Sequence, residues 1–213
     1  MVPSQVTHDE IAQLRSIMQD KCFRFGNFTL TSGLPSKYYY NGKLITLHPR
    51  WSLIIGRSLA QLAIEAKADA IGGMAIGAIP IAQTVSLAAY EAGHELPVFI
   101  VRQGRKEHGA KDEVATAYAE DGGDLLTSGR RVVIVDDVIT TGGSIERSIK
   151  VAEDLGCSVV LVVALVERHE GGGAALKKRG YNFQRLFYTN EAGELFADES
   201  TADRIVAGAG ARL

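Results

Sequence analysis

The sequence predicts an α/β fold in which a parallel sheet is covered by helices on both faces, and three observations point there. Apolar runs at Val98–Val101, Val132–Val135 and Val159–Leu165, preceded by a weaker one at 70–71, have the continuous hydrophobicity of strands buried on both sides. Helical patterns stand between most of them, with Ile81, Val85 and Ala88 in one and Ile145, Ile149 and Ala152 in another. Strands alternating with helices make a parallel sheet. An acidic pair, Asp136 and Asp137, then follows the second run at the strand's carboxyl end, the edge where open α/β sheets bind ligands.

In chain order, Thr7 with Glu10 three residues later reads as a capping box, and Ile11, Leu14 and Met18 continue it as an amphipathic helix. Residues 28–41, FTLTSGLPSKYYYN, mix β-formers with Gly33 and Pro35 and predict two short extended pieces joined by a turn. A helix should start near Pro49, with Trp51, Ile55, Leu59 and Leu62 on its apolar face. Residues 102–124 break the rhythm with a long polar stretch carrying Arg102, Arg105, Lys106 and Lys111. Such a loop is either a lid over a site or a solvated insertion.

At 213 residues, with 46% apolar and 23% charged residues, the chain fits a single globular domain. A net charge of -2 argues against nucleic acid as the main partner, while leaving room for a small anion at a local basic patch. Cys22 and Cys157 lack neighbours at metal-ligand spacing and read as free thiols. The start, MVPSQVTHDE, has no basic segment followed by an apolar one, and no apolar run reaches the ~20 residues of a membrane span. A cytoplasmic protein without a membrane partner is the expectation.

The chemistry concentrates in Val132–Ser144, VVIVDDVITTGGS. Thr140, Thr141, Gly142, Gly143 and Ser144 lead into a helix, so hydroxyls and approachable N–H groups meet the positive end of its dipole and form a phosphate cradle. Two carboxylates beside such a cradle would repel a bare phosphate. A sugar phosphate explains them, because carboxylates accept hydrogen bonds from ribose hydroxyls and attract hydrated magnesium. Neither a Walker loop nor a GxGxxG fingerprint is present.

This segment resembles the phosphoribosyl pyrophosphate signature of the type I phosphoribosyltransferases, and four further segments resemble the orotate enzymes of that family. FTLTSGLPSKYYYN is similar to their amino-terminal hood, which implies Tyr39 and Tyr40 near the base, or else as hood core. GGMAIGAIPIA, residues 72–82, resembles their pyrophosphate loop, implying backbone contacts from Ala75, Ile76 and Gly77 and a cis bond between Ala75 and Ile76. VRQGRKEHG, residues 101–109, resembles their mobile catalytic loop, so that Arg102, Lys106 and His108 would hold the leaving pyrophosphate. ALVERHEGG resembles the segment that sets an arginine, here Arg168, against the base, with Thr140 beside it; the alternative for Arg168 is a surface ion pair.

The resemblance implies a type I core at about 46–185, and a hood made of about 1–45 with the carboxyl-terminal segment. It also implies transfer of phosphoribosyl from phosphoribosyl pyrophosphate to N1 of orotate, a step of pyrimidine (UMP) biosynthesis. Asp136 and Asp137 would serve the ribose, and magnesium would be held near them mainly through substrate and water. The expected assembly is a homodimer whose catalytic loop reaches the neighbouring site. A transferase for another base, or a non-catalytic binder of phosphoribosyl pyrophosphate, is the alternative. Thr31, Gly77 and Gln103 depart from the pattern, since many orotate enzymes have lysine there.

Overall fold

The protein is described from a computed structural model covering residues 5–29, 33, 35–104, 113–118 and 123–208. Helix α1 (His8–Lys21) begins with the expected capping box, in which Thr7 Oγ1 accepts from Glu10 N at 3.2 Å and Glu10 Oε2 accepts from Thr7 N at 2.9 Å. Two of the helix's unpaired N-terminal donors are thereby satisfied. Strands β1 (Phe23–Thr29) and β2 (Pro35–Tyr40) form an antiparallel hairpin, followed by α2 (Lys43–Thr46) and α3 (Pro49–Glu65) with Pro49 at its first position.

The main sheet is assembled from β3 (Ala70–Met74), β4 (Val98–Val101), β5 (Val114–Thr116), β6 (Arg131–Ile139), β7 (Ser158–Glu167), β8 (Phe183–Thr189) and β9 (Leu195–Ala197). Between them lie α4 (Ala78–Glu91), α5 (Gly143–Asp154) and α6 (Gly172–Lys178), and α7 (Glu199–Gly208) follows. The spatial order is β5-β4-β3-β6-β7-β8-β9. Its inner five strands are parallel as expected, while the edges β5 and β9 run antiparallel to their neighbours. Those edges have three residues each, too short to show a period in the sequence.

Alternation along β6 and β7 divides the core. Val133, Val135, Leu161, Val163 and Leu165 face α1, the hairpin, α3 and α4. Val132, Ile134, Val162 and Ala164 face the opposite way, toward α5. Each strand is therefore buried on both sides, which is why it reads as an unbroken apolar run. From β3 the chain crosses to β4 on one side, whereas β6 leads to β7 and β8 on the other. The order reverses between β3 and β6, and such a switch point opens a crevice at the strands' carboxyl ends.

Candidate active site

Both loops that border the crevice are the glycine-containing segments singled out in the sequence. β6 does not stop before the acidic pair but runs through it to Ile139, so the two side chains leave the strand on opposite sides while an oxygen of each stays beside Gly77. Asp136 turns toward α5, where Ser144 Oγ donates to its Oδ2 at 2.7 Å. Asp137 turns toward the hood side, where Lys43 Nζ lies 4.0 Å from its Oδ2. Both are only 6% exposed.

Burial, then the neighbouring charge of Asp137, pushes the Asp136 carboxyl up to about 7, although the Ser144 hydroxyl and the Asp137 N–H oppose the shift. Burial also raises Asp137, against the pull of Lys43. A desolvated pair of this kind gains from any ligand that offers hydroxyl donors or positive charge.

Beside the pair, the Ala75–Ile76 peptide bond is cis, as the resemblance implied. Gly77 sits directly against the carboxylates: a Cβ there would collide with Asp137 and lie 2.9 Å from Asp136 Oδ1. A side chain at position 77 would therefore require the Asp137 carboxylate to shift. Lys43, entering from α2, supplies positive charge to Asp137.

The cradle itself turns at Gly142, whose φ of +100° is in the left-handed region that favours glycine. A Cβ built on Gly143 would meet nothing within 4 Å, so the first turn of α5 is open to an approaching anion. Thr140 and Thr141 precede it, with Thr140 O accepting from Gly172 N at 2.9 Å and Ile139 O accepting from Arg168 N at 2.9 Å. These bonds draw the cradle and the segment carrying Arg168 together at the carboxyl ends of β6 and β7.

Arg168 is 3% exposed, lies over the Tyr38 ring at 4.1 Å, and donates through Nη2 to Ser36 Oγ at 2.8 Å and to Glu170 Oε1 at 2.9 Å. It is therefore a buried pair rather than a surface one, and its Nε is without a hydrogen-bond partner among the described residues. A buried donor left unmet favours a polar ligand.

Of the two tyrosines expected near the base, Tyr40 is buried against Phe23 at 5.2 Å, with its hydroxyl beside Gly42, while Tyr39 is exposed and faces Phe28 at 5.8 Å. Tyr40 thus takes the hood-core alternative. The aromatic ring that meets Arg168 is Tyr38, which the sequence reading passed over although it shares the inward phase of Tyr40 on β2. Lys43 and Glu170 were also missed. Arg102 is exposed at the end of β4, while Thr31, Arg105, Lys106, His108 and Lys111 fall outside the described residues.

A crevice at a switch point, floored by two acids and rimmed by a phosphate cradle and a glycine loop, is the arrangement of a phosphoribosyltransferase, and residues 44–190 match the phosphoribosyl transferase domain family. An orotate phosphoribosyltransferase of Nostoc is 36% identical over 82% of this chain and 81% of its own length. One from Pyrococcus furiosus is 33% identical over 84% of this chain and 92% of its own. The crystal structure of the Mycobacterium tuberculosis orotate phosphoribosyltransferase, with Fe(III) dicitrate, aligns with a TM-score of 0.70 at 28% identity, covering 86% of this chain and 99% of that one. The chain belongs to the orotate phosphoribosyltransferase family.

Proposed function

We propose that the protein transfers the 5-phosphoribosyl group from phosphoribosyl pyrophosphate to N1 of orotate, releasing orotidine 5′-phosphate and pyrophosphate. The observation that carries this reading is the convergence of the buried acidic pair, the open cradle at Gly142 and Gly143, and the buried Arg168 on one crevice. The cradle of 140–144 suits the 5-phosphate, and the N–H groups of 75–77 suit pyrophosphate. Asp136 and Asp137 accept the ribose hydroxyls and favour the positive charge that grows on the ring as the bond from C1 to pyrophosphate breaks. Arg102, with Lys106 and His108, balances the charge that the leaving group carries away.

Two carboxylates are too few for an all-protein magnesium cage, but they suit an ion that arrives with pyrophosphate oxygens and water. Magnesium, when bound, neutralises the leaving pyrophosphate. Orotate brings a carboxylate that the other common bases lack, and a guanidinium is the fitting partner.

The single-domain division and the homodimer belong to the same proposal. Leu53 on α3 and Ile79, Leu87 and Tyr90 on α4 are exposed apolar residues on two helices joined by the 2.8 Å Ser52–Thr84 hydroxyl contact, a surface suited to burial against a second copy. A cytoplasmic setting is supported by the two free, buried cysteines, and no helix among the described residues is long and apolar enough to cross a membrane.

One observation favours a second reading: Glu170 already neutralises Arg168, which would suit a base without a carboxylate. A base-competition assay decides. With magnesium and phosphoribosyl pyrophosphate, orotate should be consumed while uracil, adenine and hypoxanthine are not; consumption of one of those instead refutes the orotate assignment.

A further inference from the structure

Helix α5 starts in the phosphate cradle, and its second turn carries Arg147. Arg147 Nη1 donates to the Gln103 carbonyl at 2.6 Å, and Nη2 donates to Glu113 Oε2 at 3.1 Å. Gln103 directly follows Arg102, while Glu113 leads into β5, and the Arg102 N–H donates to the Glu113 carbonyl at 2.8 Å. One guanidinium therefore grips both sides of the place where β4 ends. Glu113 is well covered there, with 13% of its side chain exposed, against 34% for Arg147.

Arg147 stands three residues after Ser144, so the two share a helix face. Ser144 reaches Asp136 from that face, and Arg147 reaches the backbone that carries Arg102. The helix that presents the cradle is in this way fastened to the strand end that presents a cation. Arg102 directly follows Val101, which β3 pairs on one side and the three-residue β5 on the other, and Arg147 adds a tie from this strand end to the cradle helix. A lysine at 147 offers a point charge and cannot span a carbonyl and a carboxylate with a planar fork.

We infer that Arg147 is a positioning residue that fixes Arg102 relative to the phosphate cradle, and so sets the spacing at which the two ends of phosphoribosyl pyrophosphate are held. The inference rests on the proposed substrate and goes beyond it by giving a role to a side chain remote from the acidic pair. Charge placement is sensitive to such spacing, since a displacement of about 1 Å can cost orders of magnitude in rate.

The test is calorimetric binding of phosphoribosyl pyrophosphate with magnesium to wild type, Arg147→Ala, Arg147→Lys, Arg102→Ala and the Arg102→Ala/Arg147→Ala double variant. Arg147→Ala should weaken binding about tenfold, with Arg147→Lys between it and wild type, as expected when a charge-assisted fork is lost or halved. In the Arg102→Ala background, removing Arg147 should bring no further loss, because the residue acts through Arg102. The Michaelis constant for orotate should stay within about twofold of wild type in Arg147→Ala, since the orotate contacts lie elsewhere. Binding by Arg147→Ala or Arg147→Lys equal to wild type, or losses that add in the double variant, overturns the inference while leaving the proposed function standing. Wild-type protein that fails to bind the compound at all refutes the proposed function, and the inference falls with it.

Discussion

Replacing Asp136 by Asn should make the ligand-free protein more stable and the enzyme much slower, and the size of the first effect follows from burial. The folded protein holds the Asp136 proton up to about pH 7, whereas the unfolded chain releases it near the ordinary 3.8. Between those values the native state binds more protons than the unfolded state, so stability falls as pH rises through the window. At pH 8 the ionised native state carries a penalty on the order of a few kcal/mol, and at pH 5, where the native carboxyl keeps its proton, the penalty is smaller. Asn never ionises, and Ser144 can still donate to its carbonyl oxygen. Urea unfolding of both proteins without ligand should therefore show Asp136→Asn ahead by about 2–4 kcal/mol at pH 8 and by a smaller margin at pH 5. Turnover of the same variant should fall on the order of a hundredfold, the usual scale for removing a charge aimed at the transition state. Equal stabilities at both pH values, or a larger gain at pH 5, would refute the view that the pair is held at an energetic cost for function.

Gly77→Ala puts a methyl group into the Asp137 carboxylate and should lower stability by about 1–3 kcal/mol along with activity, read by thermal melts and steady-state rates. An unaffected variant would mean that the loop readily moves off the acids. Arg168→Lys keeps the charge but loses the fork, so the Michaelis constant for orotate should rise well above any change for phosphoribosyl pyrophosphate; equal changes in both would remove Arg168 from base recognition. If the loop carrying Lys106 works across a dimer, co-refolding inactive Lys106→Ala with inactive Asp137→Ala should restore activity at about a quarter of all sites. Mixed dimers, verified by two affinity tags, that remain inactive would place the loop in its own subunit's site.

The parallel core was legible because β6 and β7 are buried on both faces and read as unbroken apolar runs, and the cradle because VVIVDDVITTGGS is long and ordered. The edges were not. β5 and β9 owe their pairing to a neighbouring strand rather than to their three residues. Within the site, the residues recovered from sequence are those in contiguous motifs. Lys43 escaped because its partner Asp137 is 94 positions away, and only the fold brings α2 to the end of β6. Glu170 stood in plain view beside Arg168, but whether a charge there pairs or is solvated is decided by burial, which a short polar segment does not announce. Tyr38 was missed for a different reason: three consecutive tyrosines hide the strand phase, and only the pairing of β2 with β1 shows which alternate pair faces inward.

Transfer to orotate is tested by incubating purified protein with orotate, phosphoribosyl pyrophosphate and magnesium, following orotate absorbance and identifying the product by mass. Orotidine 5′-phosphate should form in step with pyrophosphate, and neither should appear with the Asp136→Asn/Asp137→Asn double variant, provided that variant is shown to be folded. Pyrophosphate release that is independent of orotate, with no orotidine 5′-phosphate formed, would rule out transfer to orotate.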